Sequence, residues 1–388
     1  MPGNGQRHLS SEAIRLGYVP LIDAAPLLAA RELRFYNEES LTVELLPQIG
    51  WGNVRDKLTF GHLDASHALL GMPPASLLGC DWFAEPLVAI MSLGMGGNCI
   101  TLSRRLTSAG VNSAATLARH LRETRVGEPP SFAHVFSCST HHYLLRDWLH
   151  SGGIDPDIDV RLCVMPPPQI PSQMARGWLD GFCVGEPWNS LAARQAIGSI
   201  VAVSTDLIPD HPEKILAVSS RWLERNRPAA VRLIRAILRA CVWCDDPKNV
   251  ASLAEILVRS SGMKLPRDLI ESSLLADRSF AYDGKVRSPR PADWKIRSFA
   301  PKYTFPSATH FAWITQQMVR WGHVASDIDL RAIALQSVNS VAYREAAASL
   351  ELECPADDFP PMKLRNGLLE LDHETAISQQ LSSLQRRG

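Results

Sequence analysis

Residues 180–188 read DGFCVGEPW. The apolar run Gly181-Phe182-Cys183-Val184 has the length and bulk of a buried strand, and it stops abruptly in Gly-Glu-Pro-Trp. A short apolar run closed by a breaker cluster is what a parallel strand looks like where its carboxyl end opens onto a loop. In open α/β folds that end is where ligands sit. The reading of the whole chain turns on what this loop faces.

Working outward, strand-like and helix-like stretches alternate. Residues 13–20 and 41–49 read as strands, with helical spacing over 25–39 between them and a short helix over 53–60. The apolar runs 65–70 and 86–93 continue the series. A second series has helices over 114–123, 141–150 and 172–179 and strands over 132–136, 160–165 and 181–184. Such alternation predicts βαβ units and parallel sheets. Beyond about residue 220 helices dominate, over 229–244, 250–260, 308–321 and 330–340. Residues 277–303, rich in Arg, Pro and Lys, read as a long irregular connection, and the last thirty residues are polar.

The 388 residues exceed what one core usually holds, so two lobes are expected. Forty Lys and Arg balance forty Asp and Glu, which argues against a general attraction to nucleic acid or anionic membrane. The first twenty residues, MPGNGQRHLSSEAIRLGYVP, hold no apolar core of signal-peptide length. Most of the eight cysteines lie in apolar runs, where Cys behaves as a small hydrophobe. A soluble, cytoplasmic protein with reduced thiols is the expectation.

Several stretches could carry chemistry. Gly94-Met95-Gly96-Gly97 does not fit GxGxxG; it reads as a bend between strands or as a backbone that a ligand approaches closely. Cys241-Val242-Trp243-Cys244 fits CxxC but lies in a helical stretch with no second pair at zinc spacing, so core packing is expected. His141 and His142 follow Ser139-Thr140, a helix-capping signal; a helix N-terminus also favours anions. Trp51, between two glycines, suits a pocket wall. Lys214, in the run DHPEK (210–214), is either a solvated loop charge or part of a site. All lie at strand–helix junctions.

Read together, these stretches resemble the nitrate- and bicarbonate-binding solute receptors of ABC transporters. The matching segments are LGYVPLIDAAPLLAARE, QIGWGNVRDKLTFGHLDASHALLGMPP, STHHYLLRDWLHSGGIDPD, VMPPPQIPSQMARGWLDGFCVGEPWN and DHPEKILAVSSRWLERN. They span roughly residues 14 to 230. The resemblance implies an α/β, two-lobed periplasmic-binding-protein-like (type II) fold with an interlobe ligand cleft and extra C-terminal helices. One lobe is expected from residues 10–103 with 215–388, the other from 104–214. The DGFCVGEPWN loop would then face the cleft. The resemblance also implies a ligand set: Trp51 as the wall, His141 and Asn98 as donors, Lys214 as the charge, Gly97 beside Asn98, and Glu186 and Pro187 shaping the cleft. Nitrate receptors carry a glutamine where this chain has Asn98, which keeps the amide and loses one methylene of reach.

Nitrate is planar, singly charged and able only to accept hydrogen bonds. A donor-rich set with one lysine therefore favours nitrate or nitrite over bicarbonate, whose hydroxyl wants an acceptor, and over sulfate, whose second charge would find no second lysine. No cofactor or metal is expected. The match begins without a leader segment, which resembles the cytoplasmic NasS-type branch of sensors. Those hold an RNA-binding ANTAR-domain antiterminator (NasT-type) inactive until nitrate binds, and so regulate nitrate assimilation genes. The alternatives are the solute-binding component of a nitrate or bicarbonate ABC transporter, and a thiamine-precursor-synthase-like enzyme of the same fold. The chain lacks that enzyme's cysteine-rich iron motif.

Overall fold

A computed structural model describes residues 13–124, 128–209, 211–275, 303–364 and 367–369. Asp210, the expected irregular connection except Tyr303, and the polar tail apart from 359–364 and 367–369 lie outside the described residues. Two five-stranded sheets organise the chain. The first has the order β2 (Val43–Pro47), β1 (Ile14–Tyr18), β3 (Ala65–Leu69), β10 (Pro212–Ser219), β4 (Leu87–Met95). The second has the order β7 (Arg161–Val164), β6 (Ser131–His134), β8 (Gly181–Gly185), β5 (Asn98–Ser103), β9 (Gly198–Val203).

The expected parallel sheets are mixed. β1, β2 and β3 run parallel, but β10 runs antiparallel to both β3 and β4. β6, β7 and β8 run parallel, while β5 is antiparallel to β8 and β9. The reason is the crossing of the chain between lobes. Running out of β4 through Gly96 and Gly97, both in the left-handed region at φ 72° and 85°, it enters the second sheet as β5; it returns through His211 into β10. A left-handed pair of residues is a turn that glycine makes without strain. Gly96 N donates to His211 O at 3.0 Å, so the two crossings are tied to each other. The crossings therefore fall beside Gly97 and ahead of Pro212, not after residues 103 and 214: 98–103 belong to the second sheet and 212–214 to the first.

Helix breaks have local causes. The expected helix over 25–39 splits into Ala25–Glu32 and Phe35–Glu38 because Arg34 sits at φ 63°. The one expected over 229–244 is the distal part of Ser220–Asp245, which kinks at Asn226 just ahead of Pro228. Cys241 and Cys244 are buried in it, as core residues. The stretch 330–340 forms Leu330–Gln336 and begins a second helix, Ser340–Ala348. The later segments cover the edge of β4: Ala89 N donates to Ser337 O (2.9 Å) and Ser92 N to Thr304 O (2.8 Å), which satisfies an edge that would otherwise be open. A short hairpin, Met362–Leu364 with Gly367–Leu369, lies near the end. Among the described residues no helix is long and apolar enough to cross a membrane.

Candidate functional site: a buried charge cluster between the lobes

The ends of β1, β2 and β3 and the start of β10 meet the start of β5, the end of β8 and one helix N-terminus of the second lobe. Trp51 opens the helix Trp51–Thr59 directly after β2; it is 1% exposed. Its ring packs against His67 of β3 at 5.2 Å between centroids, and Lys214 Nζ lies 5.5 Å over the ring. That is within cation–π range, and in a desolvated site such a contact is worth on the order of 2 kcal/mol.

Lys214 is fully buried. Its ammonium lies 3.0 Å from Asp23 Oδ2 and 2.7 Å from Glu213 Oε1. Asp23 sits in the turn Ile22–Ala24 between β1 and the first helix, with Oδ1 3.1 Å from His67 Nε2. From the second lobe, Asn98, the first residue of β5, donates from Nδ2 to Glu213 Oε2, while its backbone N donates to Ser204 Oγ at 3.3 Å. His141 is the second residue of Thr140–Ser151, a helix capped by Ser139 Oγ accepting from His142 N. The capping expectation therefore holds, and His141 in the same first turn reaches the charge cluster. His141 Nδ1 lies 3.3 Å from Glu213 Oε1 without hydrogen-bond alignment, and neither ring nitrogen has a hydrogen-bond partner. Trp51 Nε1 is likewise buried without one. Buried polar atoms are normally satisfied; the His141 ring stands beside Glu213 and the Trp51 ring beside Lys214.

Electrostatics sort the charges. Burial opposes ionisation of Asp23, but the Lys214 ammonium and His67 outweigh it and hold the carboxyl below the usual carboxylate range. Burial also works against the Lys214 charge, yet Asp23 and Glu213 raise its pKa above that of a free lysine. For Glu213 burial wins over Lys214 and pushes the carboxyl up. Burial, reinforced by Lys214, drives His141 well down; burial also lowers His67, and His211 is pushed down to about 4. The histidines are therefore neutral around one firm ion pair and one carboxyl displaced toward protonation. Among the described residues no group of three or more His, Cys, Asp or Glu side chains could hold a metal ion.

The expected residues fall into two groups. Trp51, Asn98, His141 and Lys214 come together. Gly97 lies at the crossing, and Glu186 and Pro187 follow β8. The Glu186 carboxylate turns to its own lobe, accepting from Ser190 N (3.1 Å) and Cys99 Sγ (3.8 Å); its backbone oxygen accepts from Ile22 N of the first lobe (3.0 Å). The loop quoted at the outset does face the first lobe. Sequence reasoning missed Asp23, His67, His211 and Glu213. The available signal was an ionisable residue inside an apolar run: Asp23 in VPLIDAAPLL, and His67 in ASHALL.

Closure depends on a close approach at Gly71, at the head of the helix Met72–Leu77. A Cβ there would lie 1.9 Å from the carbonyl oxygen of Cys138 in the other lobe. Gly71→Ala should hold the lobes apart. If the closed population falls to about a tenth, the apparent Kd for a cleft ligand rises about tenfold, while the melting temperature without ligand changes little. Titration of the variant beside the wild type checks this; equal affinities would refute the role given to Gly71.

Two α/β lobes joined by two adjacent crossings, with a buried polar site between them, define a periplasmic-binding-protein-like fold. The chain belongs to the NMT1-like family, whose model matches residues 7–258. The crystal structure of the periplasmic nitrate-binding protein NrtA from Synechocystis superposes with a TM-score of 0.86 at 28% identity, covering 96% of this chain and 98% of that one. The nitrate/nitrite binding protein NrtA of Synechococcus elongatus is 30% identical over 359 residues, 89% of this chain and 80% of its own length. The nitrate import ATP-binding protein NrtC of Synechocystis is 33% identical over 326 residues, 84% of this chain; the chain spans about half (48%) of that longer relative. The alkanesulfonate-binding protein SsuA of Xanthomonas axonopodis, at 16% identity and a TM-score of 0.61, shares the fold.

Proposed function

We propose that this protein is a receptor for nitrate or nitrite, binding the anion between its lobes as the solute-binding part of an import system. The observation that carries the reading is the convergence of Trp51, Asn98, His141 and Lys214 from both lobes on one buried polar cluster around Glu213. A buried anion needs a counter-charge and several donors; Lys214 is the charge, and the His141 ring, the Asn98 amide and the Trp51 N–H are the donors. Support also comes from relatives matched over most of their own length, which are named as binding proteins.

Thermal melting against nitrate, nitrite, bicarbonate, sulfate and chloride tests the reading. Ligand at about a hundred times its Kd adds about 2.7 kcal/mol, and the transition moves up by several degrees. A shift with bicarbonate alone, or with none of the five, refutes it.

A second reading is a cytoplasmic sensor that holds a NasT-type ANTAR antiterminator and releases it when nitrate binds. One observation favours it: none of the eight cysteines is in a disulfide, as suits a reducing compartment. Its test is co-elution with such a partner, present without nitrate and lost with it.

A further inference from the structure

Lys214, Asn98, His141 and His211 all lie around one side chain of the protein itself. Lys214 Nζ is 2.7 Å and His141 Nδ1 3.3 Å from Glu213 Oε1, Asn98 Nδ2 donates to Oε2, and His211 Nδ1 lies 3.9 Å from that second oxygen. A carboxylate is a flat, singly charged group with acceptor oxygens, close in shape to nitrate or nitrite. In a regular strand Glu213 and Lys214 would face opposite ways. Here the ladder with β4 shifts on both sides of Lys214, from Pro212 opposite Met95 to Lys214 opposite Gly94 and Ile215 opposite Ser92. Such an irregularity re-aims side chains, and it brings both residues into the same space.

An ionised Glu213 competes with any acceptor-only anion, both for the donors and through repulsion inside a buried site. A protonated Glu213 instead presents an O–H that can donate to the anion. We propose that nitrate binding here takes up one proton on Glu213, which holds the anion's place among the donors when ionised and becomes a donor to the anion when protonated. The balance is simple: nitrate and one solvent proton enter together, the O–H bond forms on the Glu213 carboxylate, and the charge of the site is unchanged.

Other groups facing Glu213 are poor proton acceptors. Lys214 is already charged, and Asp23, on the turn Ile22–Ala24, is kept ionised by Lys214 and His67. His141 and His211 are pushed down by burial, and the Cys183 thiol of β8 is pushed well up by burial and so stays protonated. Glu213 alone in this set is displaced toward neutral pH as a carboxyl.

The inference rests on the receptor reading, and its test separates the two. Sodium nitrate is titrated calorimetrically into the full chain in HEPES and in Tris at one pH, and the difference in heat gives the protons taken up. The affinity is then followed from about pH 6 to 9. Close to one proton is expected, with Kd rising tenfold per pH unit wherever Glu213 of the unliganded protein is ionised. Glu213→Gln, which keeps shape and gains a donor, should bind nitrate with no proton change and a flat pH profile. Nitrate binding by the wild type without proton uptake overturns this inference and leaves the receptor reading standing. So does proton uptake that survives in Glu213→Gln. Absence of nitrate binding at every pH removes both.

Discussion

Lys214→Ala is expected to lower the unfolding free energy by about 3–5 kcal/mol and to abolish nitrate binding. Lys214 is fully buried between Asp23 and Glu213, and without it Asp23 keeps a buried negative charge with only His67 beside it. The loss is larger than for a surface lysine because no water replaces the ammonium. Urea unfolding measures the first effect and titration the second. The double variant Lys214→Met with Asp23→Asn separates them. It removes both charges of the ion pair together, so most of the stability should return, while nitrate still finds no cation. A Lys214→Ala protein of wild-type stability would mean that Asp23 is not held ionised by Lys214.

Mild acid is the second large effect. His134 and His211 are buried and His310 is half-buried; all three are pushed down to about 4, in each case chiefly by desolvation. In the unfolded chain they take up protons near pH 6.5. Their contribution is therefore complete above pH 6.5 and falls as the pH drops toward 4, by about 1.4 kcal/mol per pH unit for each. Asp147 works the other way. Burial pushes it up to about 6 despite Arg320, so the folded state takes up that proton first on acidification. It offsets about one histidine, which leaves a loss of roughly 6 kcal/mol by pH 4, a large share of a typical folding free energy. Denaturant midpoints measured from pH 7 to 4 test this, and His310→Gln should flatten the net profile by about half. A midpoint unchanged between pH 7 and 5 would contradict it.

Much of the architecture was legible because apolar runs of strand length are visible one at a time. The direction of a strand is not visible in this way. β5 and β10 look like their neighbours, and only the two crossings make them run against those neighbours. The expected boundaries at 103 and 214 missed the crossings by a few residues, because Gly96 and Gly97 were legible as a bend but not as the passage between sheets. The candidate site was half legible. Trp51, Asn98, His141 and Lys214 stood out through resemblance or punctuation, whereas Asp23 and His67 were passed over as part of apolar runs. Glu213 was hidden for a further reason: alternation along a strand predicts that it faces away from Lys214, and the irregular ladder cancels that rule. Glu186 looked the more conspicuous carboxylate, yet its side chain serves the loop after β8.

The crossings bear on mechanics as well as topology. Asn98, His211, Glu213 and Lys214 lie within a few residues of the Gly96–His211 tie. The load is applied almost at the fulcrum. The lobes also meet through side chains remote in sequence from the crossings, where Arg194 pairs with Asp268 at 2.6 Å and Arg320 with Asp147 at 2.8 Å. A ligand held beside the tie would work on a short input arm, and any opening of the lobes would be felt at these ion pairs as a larger displacement.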